Sequence, residues 1–126
     1  MTSLLGMLGP ARPRELVEFL PGTAPESLPP GIGGTPVNLL TRELLRRGQR
    51  IVLFTLDPAL QREMVLRGPL LTVCIGPWRT DHPARDFFAA ERRWLLHAVR
   101  REQPVVLHAQ WTYEYALAAQ ASRLPT

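Results

Sequence analysis

Apolar and polar positions alternate with a helical period between residues 37 and 46, and this pattern predicts one amphipathic helix. The positions that share one face, and that we expect to be buried, are Val37, Leu40, Thr41, Leu44 and Leu45. The polar positions between them, which we expect to point to solvent, are Asn38, Arg42, Glu43 and Arg46. The apolar run Ile51–Leu56 follows the helix. A run of this kind is typical of a parallel strand that is covered on both faces.

The residues at both ends of this helix fit its boundaries. Thr35 is the predicted N-cap, because its hydroxyl can accept a hydrogen bond from a free N–H in the first turn. Pro36 follows at the first helical position, where the missing N–H costs nothing. Arg47 complements the negative end of the helix dipole, and Gly48 suits the position just beyond the last turn.

Further patterns extend this unit to a whole domain. Apolar runs predict strands at residues 3–9, 70–75 and 105–108, and residues 124–126 resemble the entry to another strand. Helical patterns lie at residues 12–20, 58–67, 84–103 and 113–122, the last with Thr112 as its predicted cap. Because strands alternate with helices, we predict a single α/β domain, residues 1–126, with a mostly parallel sheet of about four strands and helices on both faces.

A proline-rich loop spans residues 21–35, with four prolines between Pro21 and Pro30. So many prolines exclude regular structure, and the loop is either a surface insertion without a role or a lid over the neighbouring glycines. Asp57, after the strand that ends at Leu56, also has two interpretations. It fits the carboxylate that binds a ribose in dinucleotide-binding domains, and it fits an ordinary Asp-Pro turn.

Composition restricts the class of protein. The chain is 45% hydrophobic and 21% charged, which is typical of a globular domain. No apolar run approaches the length of a membrane span, which is about 20 residues. The first residues lack the basic segment of a secretory signal. The single cysteine, Cys74, lies in an apolar segment and is interpreted as a core residue in a reducing compartment. We therefore expect a cytoplasmic protein.

All 15 basic residues are arginines, and the formal net charge is +4. Arginine favours bidentate contacts with phosphate or carboxylate, although the same preference can reflect genome composition. The arginines are spread over several predicted helices, whereas a nucleic-acid interface concentrates them in one stripe. We expect no nucleic-acid partner. Weak peripheral contact with the inner membrane face stays open.

Two groups of candidate functional residues lie at the predicted carboxyl edge of the sheet, where such sheets bind ligands. Gly33, Gly34 and Thr35 precede a helix, and the free N–H groups of such a loop favour an anion such as phosphate. The second group is His108, Trp111, Tyr113 and Glu114. His108 has either a structural or a substrate-binding role, and the two aromatic side chains suit sugars or pack the core. We expect the two groups to face each other across one crevice.

Other ligand classes are not indicated by the sequence. The loop GIGGTP lacks the glycine spacing of a dinucleotide-binding motif, and the chain has no lysine for a P-loop. His82 and His97 are far from other potential ligands, and no group of residues has the spacing of a zinc site. We therefore expect neither a metal nor a cofactor.

The two motifs together resemble glycosyltransferase family 4. The first motif resembles the opening of that family, with Gly33-Gly34, a Leu-x-x-x-Leu spacing, Arg47-Gly48 and an apolar strand. The second motif, VVLHAQW at 105–111, is similar to the family's DVVHAHW segment. The resemblance covers residues 31–126 and implies the Rossmann-like, three-layer N-terminal half of a GT-B fold. Two departures are Gln49 and Gln110, which replace histidines that are usual in the family.

The resemblance implies retaining transfer of a sugar from a nucleotide-sugar donor to an acceptor, without an obligatory metal. It implies that Gly33 and Gly34 face the donor diphosphate and that His108 and Trp111 line the crevice. The family's second, donor-binding domain has no counterpart in this sequence. We therefore expect a chain that is inactive alone, either a truncated product or a subunit that needs a partner chain. The alternatives are a phosphate- or nucleotide-binding module without catalysis and an interaction subunit that self-associates through an open sheet edge.

Overall fold

The computed structural model describes residues 3–81, 83–111 and 113–126. Its strands are β1 (Leu4–Leu8), β2 (Arg50–Asp57), β3 (Met64–Arg67), β4 (Leu71–Pro77) and β5 (Val106–Ala109). Its α-helices are α1 (Thr35–Arg46), α2 (Ala89–Glu102) and α3 (Glu114–Ala121). Short 3₁₀ segments occur at Pro13–Phe19, Pro25–Ser27 and Pro83–Asp86. None of the helices in these described ranges has the length and apolar character needed to cross a bilayer.

The strands form one five-stranded sheet in the order β3-β4-β2-β1-β5. β1, β2, β4 and β5 are parallel, and β3 pairs antiparallel with β4. The α/β class and the mostly parallel sheet are confirmed, but the predicted count of about four strands was wrong because β3 was missed. Residues 58–67 were predicted as helical, and they form a turn followed by this edge strand.

The central strand β2 explains why the domain has two apolar cores. Its residues Ile51–Leu56 are all buried, and successive side chains point to opposite faces of the sheet. On one face Ile51 and Leu53 pack with residues of α1 and the first 3₁₀ segment, including Val37 and Leu16. On the other face the residues of β2 that alternate with Ile51 and Leu53 pack with residues of α2 and α3. Helices therefore cover both faces, as predicted.

Helix α1 has the predicted length but a different beginning. Gly34 is its N-cap, with φ +82°, and Thr35 is a helical residue whose hydroxyl does not cap the helix. Asn38, which was predicted to be solvated, is buried. Its side chain accepts a hydrogen bond from the Arg12 N–H at 2.9 Å and donates to the Arg12 carbonyl oxygen at 2.8 Å and to Glu15 Oε2 at 2.8 Å. Asn38 therefore ties the first turn of α1 to the segment after β1.

The other helix boundaries differ from the predicted ones. α2 begins at Ala89 and not at residue 84, because Phe87 and Phe88 have φ values of +55° and +58° and so interrupt the helix. α3 begins at Glu114, and its predicted cap, Thr112, lies outside the described residues, as does His82. Residues 124–126 are not a strand, but the Leu107 N–H of β5 donates to the Pro125 carbonyl oxygen at 2.8 Å.

Candidate functional site

The sheet order creates a switch point beside β1. The chain leaves β1 for β2 and β4 on one side and later returns to β5 on the other side. The segments that follow β1 and β5 therefore diverge at the carboxyl edge of the sheet, which leaves a crevice between them. This position is the usual ligand site of an open parallel sheet.

A cavity of about 400 Å³ occupies this crevice. Its volume is within the range of small-molecule sites, roughly 300–1,000 Å³. The glycine loop and the start of α1 contribute Ile32, Gly33, Gly34, Pro36 and Val37 to its walls. The segment from β5 into α3 contributes Gln110, Trp111, Tyr113, Glu114 and Tyr115. The remaining wall residues are Pro10, Leu56, Trp78 and Phe88.

The structure brings most of the predicted site residues together in this cavity. Gly33 and Gly34 lie in one wall, and Trp111, Tyr113 and Glu114 lie in another. The two groups are distant in sequence, and the parallel pairing of β5 with β1 brings them close together in space.

Two predicted residues lie elsewhere. Thr35 and His108 are not among the wall residues, and both are exposed. His108 contacts the site through a neighbour, because its Nε2 lies 3.2 Å from Nε2 of the wall residue Gln110. Asp57 lies behind the glycine loop, where Oδ2 accepts a hydrogen bond from the Gly31 N–H at 2.9 Å and Oδ1 accepts one from the Ala59 N–H at 2.8 Å. Asp57 therefore anchors the loop and its own turn.

Gly34 allows the glycine loop to lie directly against the chain that follows β1. A Cβ atom added there would be 2.6 Å from the Ala11 Cα and would overlap the Pro10 carbonyl oxygen. At Gly33, by contrast, an added Cβ would meet open space. Within the described part of the chain, no acceptor bonds the peptide N–H of Gly33 or Gly34. These N–H groups stand at the start of α1, where the helix dipole adds a partial positive charge.

Glu114 brings an ionisable group into the wall of the cavity. Only 3% of the residue is exposed, and among the described residues its Oε2 has no hydrogen-bond partner. Burial raises the pKa of this carboxyl, and the negative charge of Glu91 raises the pKa further. Tyr115, the next residue, fixes this turn of α3, because its hydroxyl accepts a hydrogen bond from the Leu56 N–H at 3.1 Å.

A second acidic residue, Glu91, forms an ion pair with Arg79. The Arg79 guanidinium donates to Glu91 Oε1 at 2.7 Å and to Asp86 at 2.8 and 2.9 Å, and the Arg79 N–H donates to Glu91 Oε2 at 3.0 Å. Burial alone would raise the pKa of Glu91, but these hydrogen bonds outweigh it and the pKa lies below its ordinary value. This cluster holds the loop after β4, which carries Trp78, against the start of α2.

The cavity carries no positive side chain in its described walls. Glu114 is the acidic wall residue, and none of the 15 arginines nor a histidine is among the described wall residues. The interior of the cavity therefore favours neutral or cationic groups over anions. The described residues also contain no cluster of three His, Cys, Asp or Glu side chains that could hold a metal ion.

Aromatic residues with strained backbone conformations lie in the cavity wall or directly beside a wall residue in the chain. Among the described residues six non-glycines have positive φ, and four of them are Phe87, Phe88, Trp111 and Tyr113. Trp111 and Tyr113 are 64% and 61% exposed, and the Tyr113 ring lies 5.7 Å from the Phe88 ring. Such backbone conformations cost about 1–3 kcal/mol each and are concentrated at functional sites.

Sequence reasoning did not identify several wall residues, among them the aromatic residues Trp78, Phe88 and Tyr115. Trp78 follows β4, so the rule that ligands bind at the carboxyl edge could have identified it. Phe88 and Tyr115 lie in segments that were predicted as helices, residues 84–103 and 113–122. Their place in the wall depends on the sheet order and on the helix start at Ala89, which the sequence pattern does not indicate.

The fold and this site define a class: an α/β domain with a mostly parallel sheet and a ligand-sized cavity at its switch point. Searches of protein-family models, curated proteins and solved structures found no match to this chain. The chemistry of the cavity therefore has to indicate what it binds.

Proposed function

We propose that this chain is a Rossmann-like, acceptor-side domain of a GT-B glycosyltransferase that uses a nucleotide-sugar donor. The observation that carries the proposal is that Gly33 and Gly34 share one cavity with Trp111, Tyr113 and Glu114. These are the two segments through which the sequence resembles glycosyltransferase family 4, and both follow strands of the sheet at its carboxyl edge.

The chemistry of the cavity suits an acceptor better than a donor. Flat aromatic side chains such as Trp111 and Tyr113 bind the apolar faces of sugars and aglycones. A carboxylate such as Glu114 accepts hydrogen bonds from hydroxyl groups. A diphosphate, in contrast, would have no cationic partner in the described walls. The cavity is therefore proposed to hold a neutral, hydroxylated acceptor with an apolar part.

The donor diphosphate is proposed to approach the glycine loop from outside the cavity. The unpaired N–H groups of Gly33 and Gly34 at the start of α1 are suited to its oxygens. A second domain or a partner chain would hold the rest of the donor, so we propose that this chain is inactive alone. By the resemblance, transfer would be retaining and independent of metal.

The proposal places the domain in the cytoplasm, since its one cysteine is an unpaired core residue. Peripheral contact with the inner membrane face would use the exposed aromatic residues Phe87, Trp111 and Tyr113, together with the net charge of +4.

An NMR titration with phenyl β-D-glucoside tests the acceptor-binding role. We expect saturable shifts at the Trp111 indole and in the glycine loop, and weaker binding by Trp111→Ala, which removes an aromatic surface. Phe87→Ala is the matched control, because Phe87 is also an exposed aromatic residue, 74% exposed, but is not among the wall residues. Equal affinity in the two variants would contradict the proposal. So would turnover of UDP-glucose or GDP-mannose by the isolated chain, since the proposal assigns the rest of the donor site to a second domain or a partner chain.

A phosphate- or nucleotide-binding module without catalysis is the second candidate. It is favoured by the cavity being formed within one domain, with walls from several segments of the same chain. Calorimetry with UDP and GDP separates the two candidates. A nucleotide-binding module binds a diphosphate tightly on its own, whereas the acceptor-side domain binds it weakly until the second domain is added.

A further inference from the structure

Aromatic side chains make up a large part of the cavity wall. Among the described wall residues, five are aromatic: Trp78, Phe88, Trp111, Tyr113 and Tyr115. They come from three separate segments of the chain, which are the residue after β4, the residue before α2, and the segment from the end of β5 into α3. The fold therefore brings aromatic rings from distant parts of the sequence to one cavity.

The same wall offers few polar side chains. Among the described wall residues, only Gln110 carries a side-chain amide and only Glu114 a carboxylate, and Glu114 is 3% exposed. The Tyr115 hydroxyl bonds to the sheet, because it accepts a hydrogen bond from the Leu56 N–H at 3.1 Å. The other described wall residues that are not aromatic are glycines, prolines or aliphatic residues. A ligand in the cavity therefore finds few side-chain partners for hydrogen bonds.

Such a wall discriminates against a free sugar. A hexose carries several hydroxyl groups, and each of them loses its water partners when it is buried without a partner in the protein. An aromatic hydrocarbon body has no such groups, and its burial is favourable in proportion to the area removed from water. Aromatic ligands also pair with Trp, Tyr and Phe side chains in offset or edge-to-face arrangements. The wall therefore favours an aromatic body over a sugar ring.

Size and charge restrict the ligand further. The cavity has a volume of about 400 Å³, whereas an apolar cavity of roughly 150 Å³ is enough to bind benzene. The space therefore accommodates more than one ring. No arginine or histidine is among the described wall residues, and Glu114 is acidic, so an aromatic carboxylate is disfavoured.

We propose that the cavity binds a flat, neutral aromatic body of two fused rings, so that the acceptor is a hydroxylated aromatic compound and not a sugar. The second part rests on the proposed function, because it takes the ligand of the cavity to be the acceptor. The binding preference itself stands on the cavity wall and holds without that function.

Titrations of the intact chain, followed by NMR, test this preference. The probes are 2-naphthol, phenol, methyl β-D-glucoside, 2-naphthoate and guanosine. We expect 2-naphthol to bind about tenfold more tightly than phenol, since its second ring buries roughly 50–60 Å² more apolar surface. It should also bind at least tenfold more tightly than the glucoside, the naphthoate or guanosine, because each of these brings polar or charged groups that the wall does not pair.

The three tryptophans of the chain report where 2-naphthol binds. Trp78 and Trp111 are wall residues, whereas Trp94 is not among them, and its indole N–H donates to Glu63 Oε2 at 3.1 Å. We expect saturable shifts of the Trp78 and Trp111 indole resonances and a much smaller shift of the Trp94 resonance. This measurement uses the unaltered chain and so does not depend on the folding of a variant.

Two neighbouring phenylalanines provide a matched pair of variants. Phe87 and Phe88 have nearly the same φ, +55° and +58°, but only Phe88 is among the described wall residues. Phe88→Leu should weaken 2-naphthol binding about three- to tenfold, because it removes an aromatic partner from the wall. Phe87→Leu should leave the affinity unchanged. Circular dichroism checks that both variants are folded.

Four outcomes would overturn the inference: no saturable binding of 2-naphthol; binding of the glucoside, the naphthoate or guanosine at least as tight as that of 2-naphthol; equal shifts of all three indole resonances; or equal affinity of the two folded variants for 2-naphthol. Its failure is distinct from that of the proposed function. Should methyl β-D-glucoside bind more tightly than 2-naphthol while Trp111→Ala still weakens binding of phenyl β-D-glucoside, the aromatic preference is wrong and the acceptor role stands. Should 2-naphthol bind with the expected preference while Trp111→Ala and Phe87→Ala bind phenyl β-D-glucoside equally, the acceptor role is wrong and the aromatic preference stands.

Discussion

Replacing Gly34 by alanine tests whether the glycine loop is held by close packing against the chain after β1. An alanine Cβ at this position would lie 2.6 Å from the Ala11 Cα and would overlap the Pro10 carbonyl oxygen. Both obstacles belong to the backbone, so relief requires the loop and residues 10–11 to move apart. Gly33→Ala is the matched control, because its Cβ would enter open space.

The comparison isolates the packing effect. Both glycines have positive φ, +55° at Gly33 and +82° at Gly34, so both variants incur a cost of about 1–2 kcal/mol for a left-handed alanine. Both also gain about 0.4–1 kcal/mol, since alanine restricts the unfolded chain. These effects cancel in the difference between the variants. What remains is the overlap at Gly34, which we place at about 1–3 kcal/mol.

Thermal unfolding followed by circular dichroism measures this difference. An unfolding entropy of about 2.1 cal/mol/K per residue, applied to 126 residues, makes 1 kcal/mol equal to about 4 °C in Tm. We therefore expect Tm of Gly34→Ala to lie about 4–12 °C below that of Gly33→Ala. Tm values within 2 °C of each other would refute the reasoning. The Gly34 variant should also bind phenyl β-D-glucoside more weakly, since its loop forms one wall of the cavity.

The parts of the fold that the sequence predicted are those with long, local signals. β2 was recognisable because residues 51–56 are continuously apolar, and the end of α1 because Gly48 follows two arginines. Strand β3 was not recognisable, since it has four residues and the spacing from Leu60 to Met64 also fits a helix. The burial of Asn38 could not be predicted either. Its partner Arg12 lies 26 residues earlier in the chain, and no local pattern records that contact.

The candidate site, like the fold, could be predicted from the sequence only in part. The rule that ligands bind at the carboxyl edge placed Gly33 and Gly34 near Trp111 and Glu114 before the sheet order was known. It did not indicate that the described wall would lack a cation or that the Glu114 carboxylate would be unpaired. Those properties depend on which side chains the packing turns toward the cavity. The role of Gly33 and Gly34 toward a donor diphosphate therefore stays a prediction that binding experiments must decide.

Three further predictions concern residues outside the cavity wall that stabilise the domain. Cys74 is buried, and burial raises the pKa of its thiol to about 12. Ellman's reagent should therefore react with Cys74 only when the chain unfolds, and rapid reaction of the folded chain would contradict its core position. Gly76→Ala should destabilise the domain by about 1–3 kcal/mol in urea unfolding, because the new Cβ would lie 2.7 Å or less from the Trp94 ring. Arg79→Leu should lower Tm at pH 7, since it leaves Glu91 buried without its partner. Arg79 holds the folded-state pKa of Glu91 below its ordinary value, so the stabilisation is present above the unfolded pKa and is lost as pH falls through the folded pKa. The difference in Tm between wild type and Arg79→Leu should therefore shrink below about pH 4, and a difference independent of pH would show that the ion pair does not hold this loop.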